Sequence, residues 1–161
     1  MTESFSFDEL EHFTVGTLGP LGERVFYLQG RSNGELVSLR LEKQQVAGLA
    51  DYLERLLSDL SLSPSADRLD DLSLREPVVS AWTVGAIGVA YQSHDERIII
   101  IAEELIDDEQ EPAQARFVLR LGQAENLIER ARNVVESGRP PCDICGRPLR
   151  PRFGGWCACS N

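Results

Sequence analysis

The sequence predicts an α+β fold in which a mainly antiparallel sheet of about six strands carries two helices on one face and a small zinc-knuckle knob at its C-terminus. Three observations support this prediction. Strand-like alternation precedes each of two amphipathic helix patterns, the same order of elements occurs twice, and all four cysteines lie in the last twenty residues. We expect a body of residues 1–138, with pseudo-repeats at about 5–60 and 77–137 and a linker at 61–76, and a tail of residues 139–161.

The first unit contains three strand patterns and then one helix pattern. A short alternation at Phe5 and Phe7 precedes predicted strands at 13–19, 23–29 and 35–41, with turns at 20–22 and at Ser32-Asn33-Gly34. From Glu42 the period changes, and a predicted helix extends to about residue 60. Its apolar stripe consists of Val46, Leu49, Ala50, Leu53, Leu56, Leu57 and Leu60.

The second unit repeats this order. Strand patterns occur at 80–88, in the isoleucine run that follows Glu96-Arg97, and at 117–121, and a helix stripe follows between Ala124 and Val135. Several short stretches match the first unit in sequence order, which favours an internal duplication. The alternative is that any two stretches of three strands and a helix look alike.

Charge and hydropathy exclude several classes of protein. The 161 residues are 42% hydrophobic and carry a formal net charge of -10, so a body-wide nucleic-acid surface is unfavourable. No apolar run approaches the ~20 residues that span a bilayer. The start of the chain has neither the basic nor the apolar region of a signal peptide. We therefore expect a cytoplasmic protein with reduced cysteines and no membrane contact.

The four cysteines predict a metal site. Cys142 and Cys145 form a C-x-x-C pair, and Cys157 and Cys159 form a C-x-C pair after eleven intervening residues. Four thiolates suit tetrahedral zinc, and closed coordination of this kind indicates a structural rather than a catalytic ion. A redox-active dithiol, an iron–sulfur centre and disulfides are the alternatives. Whether all four cysteines bind one ion is left open by the sequence.

The remaining candidates for chemistry are polar residues of the body. Glu42, Lys43, Gln44 and Gln45 open the first helix, where they either serve helix initiation or form a binding site. The two histidines, His12 and His94, are far from the cysteines in sequence. The chain has no phosphate-binding glycine loop, no nucleophile elbow and no H-E-x-x-H motif, so we assign no catalytic residue.

Four motifs in order resemble an uncharacterised bacterial family, the domain of unknown function 3090, which is common in actinobacteria. They are the stretches that begin at Phe13, at Gly22, at Leu41 and at Gly138, the last of which contains Cys142 and Cys145. The resemblance spans nearly the whole chain and implies a cytoplasmic protein with no assigned activity. Family members typically continue with Gly-His-x-Cys-Pro. Here that half reads Gly155-Trp156-Cys157-Ala158-Cys159, so that either Cys157 replaces the family's histidine ligand or the alignment slips by one residue. The resemblance therefore assigns Cys142 and Cys145 more firmly than the other two ligands.

Three functions fit these observations. The first is a binding or adaptor protein with a structural zinc site, whose partner is another protein. The second is an enzyme that uses the polar residues near Glu42–Gln45 together with His12 or His94. The third is a contact with single-stranded nucleic acid through the basic tail, where Arg147 and Trp156 are candidate binding residues. The net charge of -10 disfavours the third.

Overall fold

A computed structural model describes residues 2–20, 22–60, 71–107 and 109–137. In these ranges the chain forms seven strands and two helices. The strands are β1 (Phe5–Phe7), β2 (His12–Leu18), β3 (Val25–Ser32), β4 (Glu35–Leu41), β5 (Ser80–Gln92), β6 (Arg97–Glu104) and β7 (Gln114–Leu119). The helices are α1 (Lys43–Asp59), which follows β4, and α2 (Leu121–Glu136), which follows β7.

The seven strands form one mixed sheet in the order β1-β7-β6-β5-β4-β3-β2. Each set of three consecutive strands, β2–β4 and β5–β7, is an antiparallel meander. The two meanders join through the parallel pair β4–β5, and β1 pairs in parallel with β7. The hairpin between β3 and β4 turns at Asn33 and Gly34, which both have positive φ, as a two-residue type I′ turn requires.

The sheet curls so strongly that its two outer strands approach each other. A flat sheet would hold β1 and β2 about 29 Å apart, since neighbouring strands lie about 4.8 Å apart. Only four residues link these strands, and such a link spans at most about 18 Å. The ring of Phe117 on β7 accordingly lies 4.9 Å from that of Phe13 on β2 and 5.7 Å from that of Phe7 on β1. Aromatic side chains from both ends of the sheet therefore fill one core.

The two helices share that core with the sheet. The buried side chains of α1 include Val46, Leu49 and Leu53, and those of α2 include Leu127 and Ala131. They belong to the same apolar cluster as the inward side chains of the strands. Between the helices, the Arg132 guanidinium donates to Asp51 at 2.6 Å and to Glu54 at 2.5 Å. These hydrogen bonds, the one to Asp51 first, raise the pKa of Arg132.

The opposite face of the first meander carries a buried polar row. Thr14, Gln29 and Ser38 lie side by side across β2, β3 and β4, and all three are buried. Residues 71–75 cross this row. Thr14 donates to the carbonyl of Leu72, and Gln29 hydrogen-bonds to both backbone polar groups of Arg75. The polar row therefore binds a chain segment through its backbone.

The α+β class and the two helices are confirmed, while the prediction of about six strands was one short. The additional strand is β1, which forms because Phe5 and Phe7 pair with the distant β7. Of the predicted linker 61–76, residues 61–70 lie outside the described residues, and 71–75 hydrogen-bond to the sheet. Three strands and a helix occur twice in the same order, and a duplication as the origin of that order stays a prediction. In the described ranges, neither helix has the length and apolar character needed to cross a membrane.

Candidate functional site

The four polar residues that open α1 divide into two kinds. Glu42, Lys43 and Gln44 are exposed, whereas Gln45 is half-buried and makes three hydrogen bonds. Its Oε1 accepts from the Glu42 N–H at 2.7 Å, which satisfies a backbone donor at the helix N-terminus. Its Nε2 donates to the Val84 and Gly85 carbonyls at 3.1 and 3.2 Å. Gln45 therefore caps α1 and ties it to β5.

A groove of about 470 Å³ begins at Gln45 and runs between α1 and β5. Most of its surface is apolar, and its lining consists of Gln45, Gly48, Leu49 and Tyr52 from α1 and of Gly85, Ile87, Gly88 and Val89 from β5. Tyr52 is 48% exposed, so its ring forms part of the accessible wall of the groove. A mostly apolar groove whose polar side chains are Gln45 and Tyr52 has the general character of a binding site.

Two glycines keep this groove open, although packing within the described chain does not require them. A Cβ built on Gly48 or on Gly88 would meet no atom of the described residues within 4 Å. Glycine in a helix interior costs about 0.5–1 kcal/mol relative to alanine, and in a strand it also loses packing. The sequence prediction singled out the tetrad and missed these glycines. A glycine at an exposed position in the interior of a predicted helix is the signal that could have found Gly48.

The corresponding space beside α2 is filled. Gln123 caps α2 as Gln45 caps α1, since its Oε1 accepts from the Arg120 N–H at 2.9 Å and its Nε2 donates to the Leu10 carbonyl at 2.8 Å. Asn126, three residues after Gln123, is buried. Arg130, seven residues after Gln123, donates from Nε to the Val15 carbonyl of β2 at 3.0 Å. The matching positions of α1 are Gly48 and Tyr52. Consequently α2 lies closely against β2, whereas α1 stands off from β5.

The two histidines do not line the groove. His12 is only 4% exposed, and its Nε2 donates to the Ser73 carbonyl at 3.2 Å. Burial, and next the nearby charge of Arg75, lowers the pKa of His12 below its usual value of 6.5. His94 lies exposed in the β5–β6 turn, 3.0 Å from Gln92 Nε2. Within the described residues, the structure therefore gathers neither histidine with Gln45.

A second, polar depression of about 360 Å³ lies at the start of α2. Gln123 lines it together with Arg97, Arg120 and three acidic residues from the segment between β1 and β2, Asp8, Glu9 and Glu11. Two of its carboxylates take part in ion pairs with neighbouring side chains: Asp8 pairs with Arg116 at 2.7 Å and Glu11 with Arg31 at 3.9 Å. Because these carboxylates already have partners, this depression is a weaker candidate than the groove.

The predicted metal and tail residues cannot be placed beside these sites. Cys142, Cys145, Cys157 and Cys159, with Arg147 and Trp156, lie outside the described residues. Among the residues that are described, no group of three or more histidine, cysteine or acidic side chains could hold a metal ion. The zinc prediction therefore rests on the spacing of the cysteines and stays a prediction.

A curled α+β body with an open groove beside its first helix defines a class of fold rather than an activity. The chain belongs to the family described as "Protein of unknown function (DUF3090)", whose model matches residues 5–157. The match confirms the resemblance seen in the sequence motifs, and an actinobacterial origin stays a prediction. Neither the comparison with curated proteins nor the comparison with solved structures gives a match.

Proposed function

We propose that this protein is a binding or adaptor protein that holds part of another protein in the groove between α1 and β5. The observation that carries the proposal is the pair of glycines, Gly48 and Gly88, whose missing side chains leave the groove open. A helix glycine that no internal contact requires lowers the stability of the fold, and an incoming group that approaches the backbone explains why it is tolerated. The apolar lining from Leu49, Ile87 and Val89 suits the side chains of a protein partner.

Comparison with α2 supports the same conclusion. There, Asn126 is buried and Arg130 donates a hydrogen bond to the backbone of β2, so the helix itself supplies a partner for a carbonyl of the neighbouring strand. Gly48 and Tyr52 leave the backbone of β5 to a binding partner. Replacing both with the residues of α2, as Gly48→Asn with Tyr52→Arg, should fill the groove with groups that the fold already accommodates in its second unit.

The test is affinity capture from native lysate with three proteins: the wild type, the groove-filled double variant, and Ser58→Asn as a matched control on the exposed face of α1. We expect a reproducible partner with the wild type and the control, and at least a several-fold loss with the double variant. Circular dichroism verifies that the variants are folded. Equal recovery of the partner by all three proteins would refute a role for the groove.

We also propose a structural zinc ion in the tail of this cytoplasmic protein, bound by Cys142, Cys145, Cys157 and Cys159. The support is chemical, because four thiolates in two close pairs match tetrahedral zinc and leave no open position for catalysis. Such an ion would stabilise the tail as a second recognition surface, with Arg147 and Trp156 available for a partner.

Metal content per chain of the untagged protein tests the zinc proposal, with Cys142→Ser as the paired variant. We expect one zinc per chain in the wild type, and in the variant loss of the metal together with loss of protection of the tail from protease. A metal-free wild type with reversibly oxidised thiols would contradict the proposal and favour the redox-active dithiol.

A further inference from the structure

We infer that the partner enters the groove as an extended segment of net positive charge and adds a strand to the open edge of β5. This inference rests on the proposed binding function and names the form of its partner. Three properties of the described residues support it: the unused backbone groups of β5, the dimensions of the groove and the charge of the body.

Among the described residues, the backbone of β5 is paired on one side only beyond its first residues. On the β4 side, Ser80 pairs with Ser38 and Thr83 with Arg40, and β4 then ends at Leu41. On the other side β6 pairs with β5 as far as Gln92. No strand in the described ranges continues the β4 side, where Gln45 meets only the carbonyls of Val84 and Gly85. Alternate residues between Ala86 and Gln92 therefore direct an N–H and a C=O away from β6.

Proteins usually protect such an edge, because it is a template for pairing with another chain. This protein protects the comparable edge of β2, where α2 lies close and Arg130 occupies the Val15 carbonyl. Beside β5, by contrast, a groove separates the strand from α1, and Gly48 and Leu49 of α1 line its far side. An edge left open beside an apolar wall is the arrangement used for strand addition, where backbone hydrogen bonds give affinity and alternate side chains give specificity.

The groove has room for a short strand or for one helical turn, and the unpaired edge of β5 favours the strand. One strand residue occupies roughly 160 Å³, given a strand spacing of about 4.8 Å, a rise of about 3.3 Å and a thickness of about 10 Å. The groove of about 470 Å³ thus fits about three residues of an added strand. A helix with side chains is 10–12 Å wide, so a single turn would fill the same volume and leave the β5 edge unpaired.

Charge indicates the character of the segment. Of the 26 acidic residues only Asp143 lies in the tail, whereas four of the 16 basic residues do, so the described body is strongly acidic. The electrostatic field of such a body attracts cationic segments and repels acidic ones. We therefore expect an extended segment with apolar residues at every second position and basic residues among the others.

The experiment selects short random peptides from a phage-displayed library on the full-length protein, and then measures binding of the selected peptides after N-methylation of each backbone N–H in turn. Strand addition predicts basic peptides in which methylation weakens binding by roughly 2- to 10-fold at every second position and has little effect between them. Both Gly48→Asn with Tyr52→Arg and the independent variant Gly88→Val should abolish this binding, while Ser58→Asn should not.

The outcomes separate the two proposals. Peptides that depend on the groove but tolerate methylation throughout, or that show a helical period, would overturn strand addition and leave the proposed function intact. Binding that survives both groove-filling variants, or the absence of any binding peptide, would overturn both. Selected sequences that match the chain's own tail around Phe153 and Trp156 would overturn the assignment to a different protein. Acidic selected peptides would contradict the charge argument and with it this inference.

Discussion

Gln29 and Arg75 are joined by two hydrogen bonds that imitate the pairing of two strands. Gln29 Nε2 donates to the Arg75 carbonyl at 2.9 Å, and the Arg75 N–H donates to Gln29 Oε1 at 2.7 Å. Gln29 Nε2 also donates to Ser38 Oγ, at a nitrogen-to-oxygen distance of 3.1 Å. A completely buried side chain in the middle of the sheet therefore acts as a backbone partner for the segment that leads into β5.

Replacing Gln29 with leucine should lower the free energy of unfolding by about 2–4 kcal/mol. Leucine leaves the N–H and C=O of Arg75 and the hydroxyl of Ser38 without their partner, and each part-buried group that loses a hydrogen bond costs about 1–3 kcal/mol. Urea unfolding of the two proteins measures the difference. Gln114→Leu, at an exposed position of β7, is the control and should change stability by less than about 0.5 kcal/mol. Equal effects of the two substitutions would show that Gln29 does not hold the 71–75 segment.

The two capping glutamines should differ in their contribution to stability. Gln45→Ala removes a helix cap and two hydrogen bonds to β5 at a half-buried site. It should therefore lower the free energy of unfolding by about 1 kcal/mol. Gln123→Ala should cost about 2 kcal/mol, because Gln123 is 3% exposed and its loss leaves the Leu10 carbonyl buried without a donor. Thermal and urea unfolding check the order, with the exposed Gln44→Ala as the control from the same helical turn. A larger loss for Gln45 than for Gln123 would contradict this account.

The elements that the sequence predicts well are those determined by neighbours in the chain. The helix pattern after Glu42 gave α1 within a residue or two, because one period of apolar residues runs through the whole element. The turn at Asn33-Gly34 was predictable because these residues tolerate positive φ. The third strand was predicted with its observed bounds, Glu35–Leu41, since it starts directly after that turn.

The features that the sequence did not predict depend on residues far apart in the chain. The strand at Phe5–Phe7 exists only because it pairs with β7, more than a hundred residues later. The polar residues between Asp71 and Arg75 suggested a linker, yet their backbone binds Thr14 and Gln29. The groove forms because α1 and β5 stand apart, and no local pattern reports the distance between two elements. Of the predicted binding tetrad, only Gln45 lines that groove.

Two glycine-to-alanine substitutions should change stability in opposite directions. Gly48→Ala should raise the free energy of unfolding by about 0.5–1 kcal/mol, because alanine is the better helix former and its Cβ meets no atom of the described residues within 4 Å. Gly30→Ala should lower it, by roughly 1–3 kcal/mol, because the added Cβ would lie 2.8 Å from the Phe117 ring at the centre of the core. Urea unfolding measures both. A loss of stability in Gly48→Ala would mean that packing does require this glycine, and would remove the main support for a groove kept open for a partner.

His12 should make the stability of the fold depend on pH just below neutrality. Burial, and after it the charge of Arg75, lowers the pKa of His12 below 6.5, although the hydrogen bond to the Ser73 carbonyl and the Asp71 carboxylate act in the opposite direction. As pH falls through 6.5, the unfolded chain binds a proton at this position before the folded chain does. The free energy of unfolding therefore decreases between pH 6.5 and the lower pKa of the folded state, and is constant with respect to this group at higher pH.

Urea unfolding between pH 5 and 8 measures this contribution, which cannot exceed about 1.4 kcal/mol per pH unit for one proton. In His12→Gln the part of the slope due to His12 should disappear, since an amide donates to the Ser73 carbonyl without titrating. Hydrogen bonds from Ser73 lower the pKa of Asp71 from 3.8, so that carboxyl titrates below the window and does not obscure the result. If the wild type and His12→Gln lose stability equally between pH 7 and 5, the proton that weakens the fold binds elsewhere. Protonation of His12 beside the 71–75 segment would then have no measurable effect on the free energy of unfolding.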